Sequence, residues 1–536
     1  MRYLLICSIL VLFSSCAMRN QLTDTEIHLG ELKSVPQLSY EQMLTDHDTL
    51  VSYIKQVSPI IYYNQQVRQI NFDKYAKALR KKISPKTSMP EYLILVDMTL
   101  NAAQDGHSAR LGDSDLDNMK NNWIPNGIVK DIDSNSIAYG YQYEKFSNDN
   151  FFSKLNLNLV YTAGAYYNLM PFSYKGENFP ASMKLLSCNG EQVHQLVAKQ
   201  IAYTSPLRWD RINKRMYSER FYKPIQLYQK GKLNLVFTDQ QKRQYQLSIA
   251  KGDTIATIKK IVTPLGYNRE SSPLITHYFD KEGLFYAKMP LMIEEYGDSL
   301  VNKLAPIIAK NQVKAIVLDV RGNGGGSDNT YANFLKKILS DTLKQDVVVG
   351  RNFSPYNQKQ FNINSDSVKK NKSYSFDVTV ATLKNLKMYY ISIPNYKFVI
   401  PDSINYGFKG KDYILQDRYI YSSTSNLSNL ASKNNELVSI GETPDLLGGL
   451  QTNPSILQLP YSKIIFRIEP QIDFTGAKTP ADAFQNNIEY PVSYTIEELY
   501  QRVISEKDIF GAGYLYQHDP MFRKVLDLER LRVKGD

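Results

Sequence analysis

Residues Val313 to Val320 are apolar apart from Lys314 and Asp319, and they run straight into Arg321-Gly322-Asn323-Gly324-Gly325-Gly326. A strand apolar on successive residues is buried on both faces, as in a parallel sheet covered by helices. A loop so rich in glycine brings backbone close to another group and presents N–H donors with no side chain in the way. Asn329–Leu339 has helical spacing, so the unit reads as strand, tight loop, helix. It is not a phosphate-binding loop, because no Gly-Lys-Ser/Thr follows, and its spacing is not that of a dinucleotide fingerprint.

That unit sits in a stretch, residues 270–500, where strands and helices alternate, which implies a mainly parallel sheet. Gly283–Met289, Val347–Arg351, Tyr419–Ser422 and Leu437–Ile440 read as strands. Tyr296–Lys310 and about Ser425–Lys433 read as helices, and residues 353–400 as an insertion or lid. At 536 residues the chain is too long for one ordinary core. Residues 39–124 are helical in pattern, with Pro90 starting a helix that Gly106 should stop, which puts His107 on a turn exposed to a cleft. Residues 125–262 carry short alternating runs, among them Ser136–Tyr143, Leu155–Thr162 and Leu233–Phe237, and read as a small β-rich domain. Within it, Ala181–Glu191 is a strand entering an Asn189-Gly190 turn, followed by a helix over Val193–Ala202. Residues 501–536 form a helical tail. The fold class expected is a multidomain α+β and α/β protein.

Ahead of all this, Arg2 is followed by eleven apolar-leaning residues, Tyr3–Phe13, and then Ser14-Ser15-Cys16. A basic start, a short apolar stretch and small residues make an export signal, too short to remain as a membrane span. Residues 1–16 are expected to be the signal, and 17–38 a polar tether. Without Cys7 and Cys16, only Cys188 remains, in an apolar run, so no internal disulfide forms and Cys188 reads as a core residue. The net charge of +11 comes with no long basic run and no nucleic-acid motif.

Three separated segments carry chemistry. Ser425 opens a helix just past a strand, where amides at a helix start stabilise negative charge, although Ser422, Ser423, Thr424 and Ser428 lie close by and serines also cap helices. The N–H groups of Gly324 or Gly325, with that of Asn426, form a candidate oxyanion hole. His107, in Asp105-Gly106-His107-Ser108, is the candidate base, with Ser108 or Asp105 to orient its ring. The histidines show no metal-ligand spacing, so neither metal nor cofactor is expected.

These segments, in this order, resemble the tail-specific (C-terminal processing) serine peptidases. "DVRGNGGG" is similar to that family's strand-and-loop signature, and "STSNLSNLA" to its nucleophile segment, which puts the nucleophile at Ser425. "GETPDLLGG" and "DGHS" are similar to two further family segments. The resemblance implies a crotonase-like α/β catalytic domain over 270–500. One branch of the family uses a lysine base, but Gly448-Gly449-Leu450 stand in its place here. The other, like the tricorn core, uses histidine, which fits His107. By that likeness the acid position falls on Gln485 in Phe484–Pro491, with Asp482 and Glu489 as neighbouring carboxylates. The Cys16 segment resembles a bacterial lipoprotein signal, and "CNGEQV" the middle of a PDZ domain.

The expectation is a lipid-anchored envelope serine peptidase acting on proteins or peptides, with no nucleic-acid partner. The alternative is a weakened or inactive peptide- or ligand-binding protein on the same scaffold, because glutamine cannot stabilise an imidazolium as a carboxylate does.

Overall fold

The N-terminal helices start where serine and asparagine can cap them. Ser39 and Ser88 each form a capping box, opening α1 (Tyr40–Val57) and α4 (Met89–Asn101). Between them lie α2 (Ile60–Arg68) and α3 (Phe72–Arg80), the latter capped by Asn71. Their apolar faces, including Leu50, Ile54, Leu93 and Val96, share one core with Leu459, Ile464, Phe466 and Ile468 from far along the chain. The computed structural model describes residues 31–535 except 131, 151–156, 158, 211, 220–230, 251, 254, 258–272, 311–312, 364–387, 445–454, 476, 478, 484–487 and 506. Cys16 and Gln485 therefore lie outside the described residues, as does the whole signal segment.

After α4 comes β1 (Ala109–Arg110), and then a correction to the expected strands. Ser136–Tyr143, which alternates in sequence, lies inside α5 (Ser134–Asn150), so helix extends past the boundary expected at 124. Ile137, Gly140, Tyr143 and Phe146 are its buried residues at a spacing of three, and Asp133 accepts the Ser136 N–H at 2.7 Å to start it. Helical burial outweighs the period-two spacing of Tyr139, Tyr141 and Tyr143.

The β-rich unit comprises β2 (Leu159–Thr162), β3 (Ala165–Asn168), β4 (Lys184–Cys188), α6 (Val193–Ala198), β5 (Lys232–Thr238) and β6 (Gln244–Ala250). Its sheet runs β6-β5-β4-β3-β2 with antiparallel pairs. Asn189 and Gly190 turn the chain with φ of 52° and 78°, a geometry those two residue types tolerate. Cys188 is fully buried, and burial pushes its thiol up to about 12, so it is a core residue and no nucleophile at neutral pH.

The larger sheet is built from β7 (Ile275–Phe279), β8 (Leu284–Lys288), β9 (Ala315–Asp319), β12 (Lys411–Gln416), β13 (Leu437–Gly441) and β17 (Tyr490–Pro491), in that spatial order. Only β7–β8 is antiparallel; the other neighbours are parallel. Helices α7 (Glu294–Lys310), α8 (Asn329–Ile338) and α9 (Ser423–Ala431) belong to this unit. The strand expected at Tyr419–Ser422 is instead the preceding apolar run in β12, and residues 417–422 form the connection to α9. Asp417 turns the chain there by accepting the Tyr419 N–H at 3.0 Å. Part of the 353–400 insertion is itself strand: β11 (Met388–Val399) makes a long antiparallel pair with β10 (Leu343–Asn352), which precedes the insertion, and β16 (Gln471–Asp473) extends the pair. The hairpin β14 (Ser455–Gln458) and β15 (Ile465–Ile468) adds β1 at its edge. Helices α10 (Ile496–Ile504) and α11 (Pro520–Gly535) close the chain. No helix among the described residues is long and apolar enough to cross a membrane.

Candidate active site

His107 reaches its partner through a strand register. β1 pairs antiparallel with β15, Ala109 opposite Arg467 and Arg110 opposite Phe466. Two residues further back along β1 and two further on along β15, the same register sets His107 against Glu469. Their side chains meet with His107 Nδ1 3.6 Å from Glu469 Oε2, and both are buried, 7% and 4% exposed. The Arg467 guanidinium donates to the His107 carbonyl at 2.8 Å, and the Glu469 N–H to the Ser108 hydroxyl at 3.1 Å. Glu469 Oε1 accepts the Gln471 N–H at 3.2 Å.

This corrects three expectations. His107 is buried, not exposed on a turn. Asp105 does not orient the ring: Oδ1 accepts the backbone N–H groups of His107 and Ser108, which shapes the turn, while burial raises the Asp105 carboxyl above its ordinary range. Nor does Gly106 stop the helix, since α4 ends at Asn101 and Gln104 takes the left-handed backbone at φ 54°. Glycine at 106 leaves room for the Tyr421 hydroxyl, which a Cβ there would force to shift.

Tyr421 thus packs on the His107 turn, its ring centroid 5.2 Å from the imidazole. Its N–H donates to the Asn323 carbonyl in the glycine loop at 3.1 Å, and four residues on stands Ser425. The loop presses on the same segment: a Cβ on Gly325, whose φ is 101°, would lie 2.6 Å from Ser422 Cβ. Ser422 holds φ 52° and ψ −128°, left-handed backbone in a residue with a side chain, at the turn that launches α9. The three segments meet through Tyr421 and Ser422. Ser425 is 1% exposed, and its hydroxyl, like those of Ser423 and Thr424, makes no hydrogen bond within the described residues.

The expected amide donors differ in state. The Gly325 N–H donates to Asn323 Oδ1 at 2.8 Å, and the Asn426 N–H to the Ser422 carbonyl at 3.1 Å. Neither is available in this arrangement. The Gly324 N–H has no acceptor among the described residues. The Asn426 side chain instead donates to Asp328.

Beneath the loop lies a buried ionic cluster. Arg321 pairs with Asp319 and, at 2.6 Å, with Asp519 at the start of α11; Asp519 also meets Arg502 at 3.2 Å and accepts the Tyr494 hydroxyl at 2.9 Å. Arg418, on the connection to α9, reaches Glu219 at 2.6 Å and the Tyr161 carbonyl, both in the β-rich unit, and Glu442 at 3.1 Å. These ties fix the glycine loop and the connection to α9 to their surroundings.

Of the carboxylates flagged near the expected acid position, Asp482 is engaged with the Thr479 N–H and hydroxyl at 2.8 and 3.0 Å. Glu489 immediately precedes β17 at the edge of the main sheet, its N–H on the Ser439 hydroxyl. Glu469 was not anticipated. Its signal is a lone carboxylate closing the apolar run Ile464-Ile465-Phe466-Arg467-Ile468, followed by Pro470. Among the described residues no cluster of three or more His, Cys, Asp or Glu gathers as a metal site.

The sequence model of peptidase family S41 matches residues 284–477. No sequence among curated proteins matches the chain. Among solved structures, mature CPAF aligns with a TM-score of 0.55 at 12% identity, covering 92% of this chain and 98% of that one. Mature CPAF complexed with lactacystin gives 0.56 at 11%, covering 92% and 99%. The photosystem II D1 C-terminal processing protease aligns at 0.36 and 11%, covering 87% and 98%. The likeness to CPAF shows a shared fold along nearly the whole of both chains. Residues 284–477 thus form a domain of the peptidase family S41 type, that of serine peptidases.

Proposed function

We propose that Ser425 is the nucleophile, His107 its general base and Glu469 the carboxylate that orients His107. The observation that carries this reading is the buried His107–Glu469 pair packed, through Tyr421, against the segment bearing Ser425. With Nδ1 turned to the carboxylate, Nε2 is the ring nitrogen left for the hydroxyl. Ser425 Oγ adds to the peptide carbonyl carbon as its proton passes to His107, and the Gly324 N–H receives the developing oxyanion. Collapse breaks the C–N bond, and the departing amine takes the proton from His107. A water deprotonated by the same ring then releases the second product as an acid. The closed, unbonded state of Ser425 is compatible with this, since catalytic hydrogen bonds often tighten only around substrate.

The reading includes substrates that are proteins or peptides of the cell envelope. The strand ending at Asn189-Gly190 and the helix α6 suit capture of an extended segment or chain end by strand addition in a PDZ-like manner. Acylated Cys16 would hold the enzyme at a membrane. Cys16→Ala is expected to shift the protein from the detergent to the aqueous phase of a cloud-point partition; unchanged partition would remove the anchor from the proposal.

A fluorophosphonate probe on the full chain tests the nucleophile. One adduct is expected, on the peptide containing Ser425, absent in Ser425→Ala and at least about 100-fold slower in His107→Ala, from the usual weight of a general base. An adduct elsewhere, or none, refutes the reading. Tight peptide binding with neither adduct nor turnover would favour the second reading, a binding protein on this scaffold, which the shut-in Ser425 hydroxyl motivates.

A further inference from the structure

The glycine loop begins with one peptide unit, the Arg321 carbonyl and the Gly322 N–H, and that unit is gripped from both sides. Strands β8, β9 and β12 lie side by side and parallel, ending at the same edge. From the end of β8, Lys288 Nζ donates to the Arg321 carbonyl at 2.6 Å. From just beyond β12, Asp417 Oδ1 accepts the Gly322 N–H at 3.0 Å. The same oxygen accepts the Tyr419 N–H at 3.0 Å, so one carboxylate oxygen fixes both the glycine loop and the start of the segment leading to Ser425.

Both side chains are buried, Lys288 at 0% and Asp417 at 2% exposure. They share their surroundings with Asp319, Arg321, Arg418, Tyr419, Glu442, Tyr494 and Arg502. Burial opposes both charges: it draws the Lys288 ammonium down to about 8, and, with repulsion from Glu442, pushes the Asp417 carboxyl up to about 6. Pairing of β8, β9 and β12 is already secured by backbone hydrogen bonds, and apolar side chains would fill the same space with less desolvation. What the pair adds is control over one peptide plane. That plane adjoins Gly322, at φ 71°, where glycine leaves the backbone free to rotate. A half-turn of the plane would reverse its N–H and redirect the loop that carries Gly324.

We propose that Lys288 and Asp417 are positioning residues for peptide hydrolysis, clamping the Arg321–Gly322 peptide unit so that the Gly324 N–H stays in register with Ser425. The proposal rests on the roles given above to Gly324 and Ser425. Its test uses the full chain carrying Lys288→Met, Asp417→Leu, Asp417→Asn and the Lys288→Met/Asp417→Leu pair. A fluorogenic peptide gives kcat and KM, with kcat taken per Ser425 that a fluorophosphonate labels, so that unfolded molecules do not count. Lys288→Met and Asp417→Leu are each expected to lower kcat about 10- to 100-fold, within the range for losing one oxyanion contact, with KM inside about threefold. The pair should fall no further than its worse member, because both act through one peptide unit. Asp417→Asn, which keeps an oxygen to accept both N–H groups, should recover to within about threefold of wild type. A purely charge-balancing role would not be rescued by asparagine. Unchanged kcat in the single variants, multiplying losses in the pair, or asparagine as damaging as leucine would each overturn the clamp while Ser425-dependent turnover stands. A wild-type chain never labelled at Ser425 would overturn the reading beneath it, and this proposal too.

Discussion

Glu469→Gln is expected to lower kcat by roughly 10³- to 10⁴-fold, the scale seen when the acid of a catalytic triad becomes its amide. The direction follows from how the side chain is held. Glu469 Oε1 accepts the Gln471 N–H at 3.2 Å, leaving Oε2 toward His107 Nδ1. In the glutamine variant the amide oxygen would keep the Gln471 contact, and the NH₂ would face the ring. A donor there makes Nδ1 an acceptor and moves the ring proton to Nε2, the atom that must take the serine proton. KM should change little, since nothing in this exchange touches the peptide-binding surface. Gln485→Ala, at the position family likeness marks for the acid, is expected to leave kcat within about twofold, because the place beside His107 is already filled. Steady-state assay of the two variants decides the matter. More than about a tenth of wild-type kcat in Glu469→Gln, or a collapse in Gln485→Ala, would end the assignment of Glu469.

The second large effect is on stability. Asp519→Ala is expected to destabilise the fold by about 3–5 kcal/mol, the usual result of leaving buried charge without its partner. Arg321 and Arg502, 1% and 3% exposed, both lose their Asp519 contact, and α11 loses the Oδ1 acceptor for the N–H groups of Met521 and Phe522. Acid should reproduce part of this loss. Burial opposes ionisation of Asp519, but Arg321 and Arg502 overcome it and hold the carboxyl below its ordinary range; Asp319 is likewise held down, by Arg321 and Lys288 against burial. A carboxylate depressed in the folded state stabilises above its unfolded value, near 4, and that contribution is lost as pH falls through the folded value. The wild type should therefore lose stability below about pH 4, and Asp519→Ala should show a shallower acid slope. Urea unfolding across pH checks both. A variant within about 1 kcal/mol of wild type, with an unchanged slope, would show the cluster to be incidental.

What could be read from the sequence was whatever depends on neighbours in the chain. Val313–Val320 reads as a buried strand because its apolar residues are contiguous, and the strand observed, Ala315–Asp319, lies inside it. The glycine loop, the start of α9 near Ser425 and the Asn189-Gly190 turn are local in the same sense. What could not be read depends on distant register. The pairing of β1 with β15 joins residues some 360 positions apart, and only that pairing sets Glu469 beside His107. The bonds that occupy the Gly325 and Asn426 amides are local by contrast, an Asx contact two residues back to Asn323 and a helical bond four residues back to Ser422. Ser136–Tyr143 reads as a strand because its tyrosines alternate, yet the buried set Ile137, Gly140, Tyr143 and Phe146 repeats every three residues.

The core shared by the first four helices with Leu459, Ile464, Phe466 and Ile468 has a further consequence. The stretch that family likeness recognises holds the alcohol and the carboxylate, whereas the imidazole comes from the amino-terminal third and is seated there by the very hairpin that bears the carboxylate. Trimming the molecule to its recognisable portion would strip one member of the trio and bare the apolar bed of another. On the proposed assignment, catalytic competence belongs to the whole polypeptide, and a nascent chain would acquire it only after its last third has closed upon its first.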